Sequence, residues 1–139
     1  MSVYRLLADA IVLCHAAYVT FVILGLVVTL FGGWAGWSWV RNFWFRMVHL
    51  GMISIVVIES LLEITCPLTV WEDALRRRAG ESVQSGAFIA RWAHELIFFD
   101  APTWVFTVAY CLFGLLVVVG FVLVPPRPPK SLRSRVKRG

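Results

Sequence analysis

Charge is what this chain has least of. Only 15% of its 139 residues are Asp, Glu, Lys or Arg and 60% are apolar, whereas soluble domains run at about 25% and about 45–50%. That deficit excludes an ordinary soluble fold and makes a membrane protein the default. Cysteine is also scarce. Cys14, Cys66 and Cys111 are an odd set without CxxC spacing, so neither a disulfide framework nor a zinc site is indicated. Cys14 and Cys111 sit in apolar runs and read as packing residues. No small-residue cleavage site leads from the first apolar run into a soluble domain, so that run reads as a retained span, not a removed signal. Internal repeats are lacking, as is any nucleophile, base and orienter set of known mechanism. The net charge of +5 does not imply nucleic acid. Its basic residues gather at Arg76, Arg77 and Arg78 and in the tail, not along a face interleaved with stacking aromatics.

What the chain does have is long apolar runs. Residues 6–31 form the first, 26 residues long, where about 20 helical residues cross a bilayer core. Asp9 lies in its opening turn, suited to the positive end of the helix dipole, and His15 lies deeper. Gly32-Gly33 is expected to break this helix. Trp34, Trp37, Trp39, Trp44 and Phe45 then crowd the connection as an interfacial aromatic belt does. The second span covers about 43–64. At 100° per residue, Arg46, His49, Glu59, Ser60 and Glu63 fall within roughly 140° of one another. Charged groups in a span face a bundle interior or a wet cavity, because facing lipid costs several kcal/mol.

Cys66-Pro67 ends that span, and Thr69 with Glu72 matches the capping-box pattern at the start of a short amphipathic helix over about 69–79. Arg76, Arg77 and Arg78 read as a headgroup-binding surface. A second short helix is expected over about 87–99, carrying Arg91, His94 and Glu95, with Asp100 and Pro102 opening the last span at about 101–124. The tail, 125–139, is rich in proline and basic residues and should be extended or disordered on the cytoplasmic side.

The expected architecture is therefore an all-α membrane protein: a small helical bundle in one domain, 1–124, with three long transmembrane helices, one short amphipathic helix and a fourth short helix. Whether the fourth is interfacial or crosses stays open. Its length, about 18–20 Å, is short for a core about 30 Å thick, while the distribution of Lys and Arg favours a crossing. A crossing would allow His49 and His94 to meet; without one, His94 lies nearer His15 and Glu63.

The series YRLLADAIVLCH at 4–15, His49-Leu50, ITCPLTVWEDALRRRAGE at 64–81 and SGAFI at 85–89 resembles a bacterial integral-membrane family, domain of unknown function 2784, over nearly all of residues 4–124. The resemblance implies a small multi-pass helical protein of the bacterial cytoplasmic (inner) membrane without an assigned activity. Positions matching the family's pattern are His15, His49, Cys66, Pro67, Leu68, Thr69, Glu72, Leu75, Arg76 and Gly80. After Ile89 the sequence RWAHELIFFDAP departs from the family's tyrosine-rich, proline-containing stretch, so no family-wide role carries to His94.

Three roles fit these residues. In the first, the chain is an accessory or assembly partner in a membrane complex and its polar groups fix helix packing. The bilayer is then its first partner, and other membrane proteins or further copies of the chain its next. In the second, His49, His94 or His15 ligate a b-type haem or a metal. In the third, the cluster His15, Glu59, Glu63, Cys66, Thr69 and Glu72 serves a small oligomeric transporter or membrane enzyme, since intramembrane carboxylates with a histidine mark proton paths.

Overall fold

A computed structural model describes residues 2–83 and 102–127. Among these are four α-helices and no strand: α1 Val3–Trp34, α2 Phe43–Leu61, α3 Pro67–Arg78 and α4 Thr103–Leu123, with a 3-10 turn at Trp39–Arg41. By length and composition α1, α2 and α4 can cross a membrane, and α3 is the short amphipathic helix. The all-α membrane fold class is the one the sequence implies. The short helix expected over 87–99, with Arg91, His94 and Glu95, lies outside the described residues. So do the Asp100 cap, the tail after Arg127 and the choice between three and four crossings.

The chain divides into two compact units, Met1–Val19 with Val56–Cys111 and Thr20–Ile55 with Leu112–Gly139. In the first unit Ser60 Oγ donates to Thr107 Oγ1 at 3.0 Å, and Thr107 donates to the Thr103 carbonyl at 3.3 Å. A hydroxyl pair thus ties α2 to α4 where apolar packing alone gives little specificity. In the second unit Val22, Leu26, Val40, Ile53 and Val117 are buried. Outside these small cores the helices carry large exposed apolar side chains, among them Ile55 and Ile58 on α2 and Leu115, Leu116 and Val122 on α4. Lipid, not water, is the solvent such surfaces match.

Two local expectations are corrected. Gly32-Gly33 does not break α1, which runs through both to Trp34. These glycines admit close neighbours instead: a Cβ on Gly32 would lie 2.6 Å from Val40 Cγ1, and one on Gly33 would lie 3.1 Å from Val124 Cγ1. Likewise Thr69 does not cap α3. Proline needs no amide partner at a first helical position and already has a helical φ, so α3 begins at Pro67 with Cys66 as its N-cap residue, and Thr69 is buried inside the first turn.

The ends of α1, α2 and α3 share one solution, a Schellman motif. Trp37 N–H reaches the Gly32 carbonyl and Gly36 N–H that of Gly33; Ile64 pairs with Glu59 and Glu63 with Ser60; Glu81 pairs with Arg76 and Gly80 with Arg77. The residue after each C-cap is left-handed, with φ of 74° at Gly36, 55° at Glu63 and 80° at Gly80. Glycine takes this conformation freely, whereas other L-residues are strained by about 1–2 kcal/mol. The α2 helix thus ends at Leu61, before the expected 64, and Glu63 is exposed in the turn. Glu63→Gly is expected to stabilise the protein by about 0.5–1 kcal/mol, while Glu63→Ala should not. Thermal unfolding midpoints in maltoside micelles measure the difference.

Candidate functional site

Polar side chains gather in both units. In the first, Arg76 organises them. Its Nε donates to Glu72 Oε1 at 2.9 Å, Nη1 to Glu81 Oε2 at 2.9 Å and Nη2 to Asp9 Oδ1 at 3.3 Å. Arg5 Nε reaches the other oxygen of Glu81 at 3.0 Å. The local fold delivers each partner: Glu72 is one turn back on α3, Asp9 is on α1, and the Schellman turn carries Glu81 back to Arg76. Glu72 is buried and Arg76 half-buried. Hydrogen bonding to Glu72, then to Glu81, holds the Arg76 pKa above its ordinary value against the opposing effect of burial. Of the three arginines expected as a headgroup surface, Arg77 and Arg78 are exposed and Arg76 is committed to these carboxylates.

In the same unit Tyr18 stands between His15 on one side and Glu59 and Cys66 on the other. Glu59 and the Cys66 thiol share a hydrogen bond. Tyr18 lies within electrostatic reach of both, and its ring meets that of the buried His15 edge-on at 6.5 Å. Tyr18 was not singled out by the sequence. Its only signal is its place three residues after His15, one turn along the same helix. Of the expected cluster, Glu59 and Cys66 pair here and His15 touches Tyr18, while Glu72 joins Arg76 instead. Thr69 is buried, with no hydrogen-bond partner for its hydroxyl among the described residues, and Glu63 makes no ion pair among them.

Cys66 stands outside the spans. Burial pushes its thiol above the usual range; the amides of Leu68 and Thr69 oppose this, and the Glu59 carboxylate pushes it further up. A raised folded pKa means the proton is held more tightly when folded. The stability this contributes is full below the unfolded thiol pKa and is lost as pH rises through the folded one. In a protein with Cys14 and Cys111 replaced by serine, N-ethylmaleimide should react with Cys66 several-fold more slowly at pH 8 than with a free thiol, because the thiolate is the nucleophile. The rate should still be rising beyond pH 9, and a plateau by pH 8 would contradict the burial argument.

In the second unit His49 is 1% exposed. Its Nε2 lies 2.7 Å from the Val22 carbonyl; a carbonyl only accepts, so Nε2 carries the proton. The ring stacks on Phe45 at 6.3 Å and 9° and meets Phe21 edge-on at 5.9 Å. Gly25 makes room for it, since a Cβ there would come within 2.7 Å of Nε2. Arg46, one turn earlier on α2, is 2% exposed and lies over the Phe121 ring at 5.1 Å. Among the described residues no group of three His, Cys, Asp or Glu side chains is placed to hold a metal ion. His94, the other expected ligand beside His15 and His49, lies outside them.

A family model described as Protein of Unknown function (DUF2784) matches residues 5–126. The chain belongs to this family. No curated protein and no solved structure matches it. The DUF2784 match begins at Arg5, in the ion network, and takes in both polar groups. Of the positions matching the DUF2784 pattern, His15, Cys66, Glu72 and Arg76 lie in the first unit's clusters and His49 in the second unit's aromatic setting. The three helices long and apolar enough to cross a membrane fit what the resemblance implied.

Proposed function

We propose that this protein is an accessory or assembly partner in a complex of the bacterial cytoplasmic membrane, with its basic tail on the cytoplasmic side. The observation that carries this reading is how its polar groups are used. Arg76 is matched to three carboxylates, His49 to a backbone carbonyl and Ser60 to Thr107. Groups so engaged fix one helix against another, and they leave outward faces of exposed apolar residues such as Ile55, Ile58 and Leu112. Faces of that kind meet either lipid or another membrane protein.

The test is photo-crosslinking in native membranes with a crosslinker placed at Ile55, Ile58 or Leu112, read on native gels beside a strain lacking the gene. One discrete crosslinked species is expected, together with a native complex that shifts in size when the gene is deleted. A chain that migrates alone at every position, with all complexes unaltered in the deletion strain, refutes the proposal. A second reading, a proton-handling role, is favoured by the Glu59, Cys66, Tyr18 and His15 group. It predicts that Glu59→Gln leaves folding and assembly intact while abolishing a proton-coupled activity.

A further inference from the structure

We infer that Arg46 is the recognition element of a phosphate site in the second unit, taking the phosphate of a membrane lipid or free phosphate. Its guanidinium contrasts with that of Arg76. All three Arg76 nitrogens meet carboxylates, whereas Nε and Nη2 of Arg46 are buried without a hydrogen-bond partner among the described residues. These two nitrogens share one edge of the guanidinium. Their N–H groups point the same way and form the fork that grips two oxygens of an oxyanion at once. Phe121 occupies the ring-stacking face and leaves that edge unused.

No side chain of the unit can supply the missing charge. Residues 20–55 and 112–139 contain no aspartate or glutamate at all. A buried guanidinium without a counter-charge is strongly unfavourable, so an anion from outside the unit is the species that would satisfy it. The other described cations of the unit, Arg41 and Arg127, are joined by backbone: Arg127 N–H donates to the Arg41 carbonyl at 2.7 Å, and Arg41 Nε donates to the Pro125 carbonyl at 3.1 Å. Arg41 follows the stacked Trp37 and Trp39 pair, the kind of aromatic group that settles at headgroup level. Arg46 is in the first turn of α2, so its buried fork lies at the helix end that follows this aromatic pair. Phosphate is the oxyanion that every phospholipid presents there.

The test uses the full chain, delipidated in maltoside micelles, with three probes: phosphatidylglycerol, a galactosyl diacylglycerol with the same tails but no phosphate, and inorganic phosphate. Native mass spectrometry and thermal unfolding are read for wild type, Arg46→Met and Arg46→Lys. Wild type should retain one phosphatidylglycerol and unfold several degrees higher with it, and show no such response to the galactolipid. Arg46→Met should bind phosphatidylglycerol about tenfold or more weakly, as loss of a charge-assisted fork implies. Without lipid it should be at least as stable as wild type, because an unmatched buried charge has been removed. Arg46→Lys, a point charge without a fork, should lie between. An equal response to inorganic phosphate assigns the site to free phosphate, and a response to phosphatidylglycerol alone assigns it to lipid. Equal phosphatidylglycerol binding by wild type and Arg46→Met, or an equal response of wild type to the galactolipid, overturns the inference. Should Arg46→Met fail to fold, Arg46→Gln replaces it under the same criteria.

Discussion

Replacing Arg76 with alanine is expected to destabilise the protein by about 3 kcal/mol, because it removes the cation that is paired with a largely buried carboxylate. The carboxylate most affected is Glu72, whose side chain is 6% exposed; Asp9, at 50%, can turn to solvent. Arg76→Lys keeps the charge but cannot present three nitrogens in fixed directions to Glu72, Glu81 and Asp9, so it should recover only about half of the loss. Arg5→Ala should cost much less, about 0–1 kcal/mol, because its link to Glu81 is exposed. Denaturation in mixed micelles at low and high salt separates these cases. Added salt should weaken the Arg5 contribution and leave most of that of Arg76, since buried pairs are poorly screened.

The second large effect is expected at Gly25. An alanine methyl there would collide with the His49 ring. That ring has little freedom to retreat, held between the Val22 carbonyl, Phe45 and Phe21. Overpacking of this kind costs about 1–3 kcal/mol, and Gly25→Val should exceed Gly25→Ala. The decisive measurement is a double-mutant cycle. In a His49→Ala background the Gly25→Ala cost should largely vanish, giving a coupling energy of about 2 kcal/mol. Additive effects would show that the glycine serves something other than the ring.

The three spans were legible because composition and length suffice to define them. What escaped was set by geometry at helix ends and by distance along the chain. Gly32-Gly33 looks like a helix stop by propensity, yet the glycines serve contacts with Val40 and Val124 that no local pattern reveals. Thr69 and Glu72 match a capping box, but proline after Cys66 starts the helix earlier. Glu63 joins the polar face of α2 only if the 100° rotation is carried past Leu61, and the left-handed turn ends it there. The pairing of Glu59 with Cys66 was within reach, since both flank one helix end. Arg5 with Glu81 was not, because nothing local links residues so far apart in sequence.

The unbroken run of α1 has a consequence for the bilayer itself. From Arg5 to Trp34 the helix rises about 43 Å, close to the full thickness of a membrane with its headgroups, about 40–45 Å, and well beyond the hydrocarbon core of about 30 Å. One end is fastened by Arg5 to Glu81 and by Asp9 to Arg76, and the other carries Trp34, 84% exposed. A rod anchored at both ends adjusts to thickness by tilting or by drawing lipid to its own length. The stability of this protein should therefore depend on acyl-chain length, with a maximum where the bilayer matches the rod.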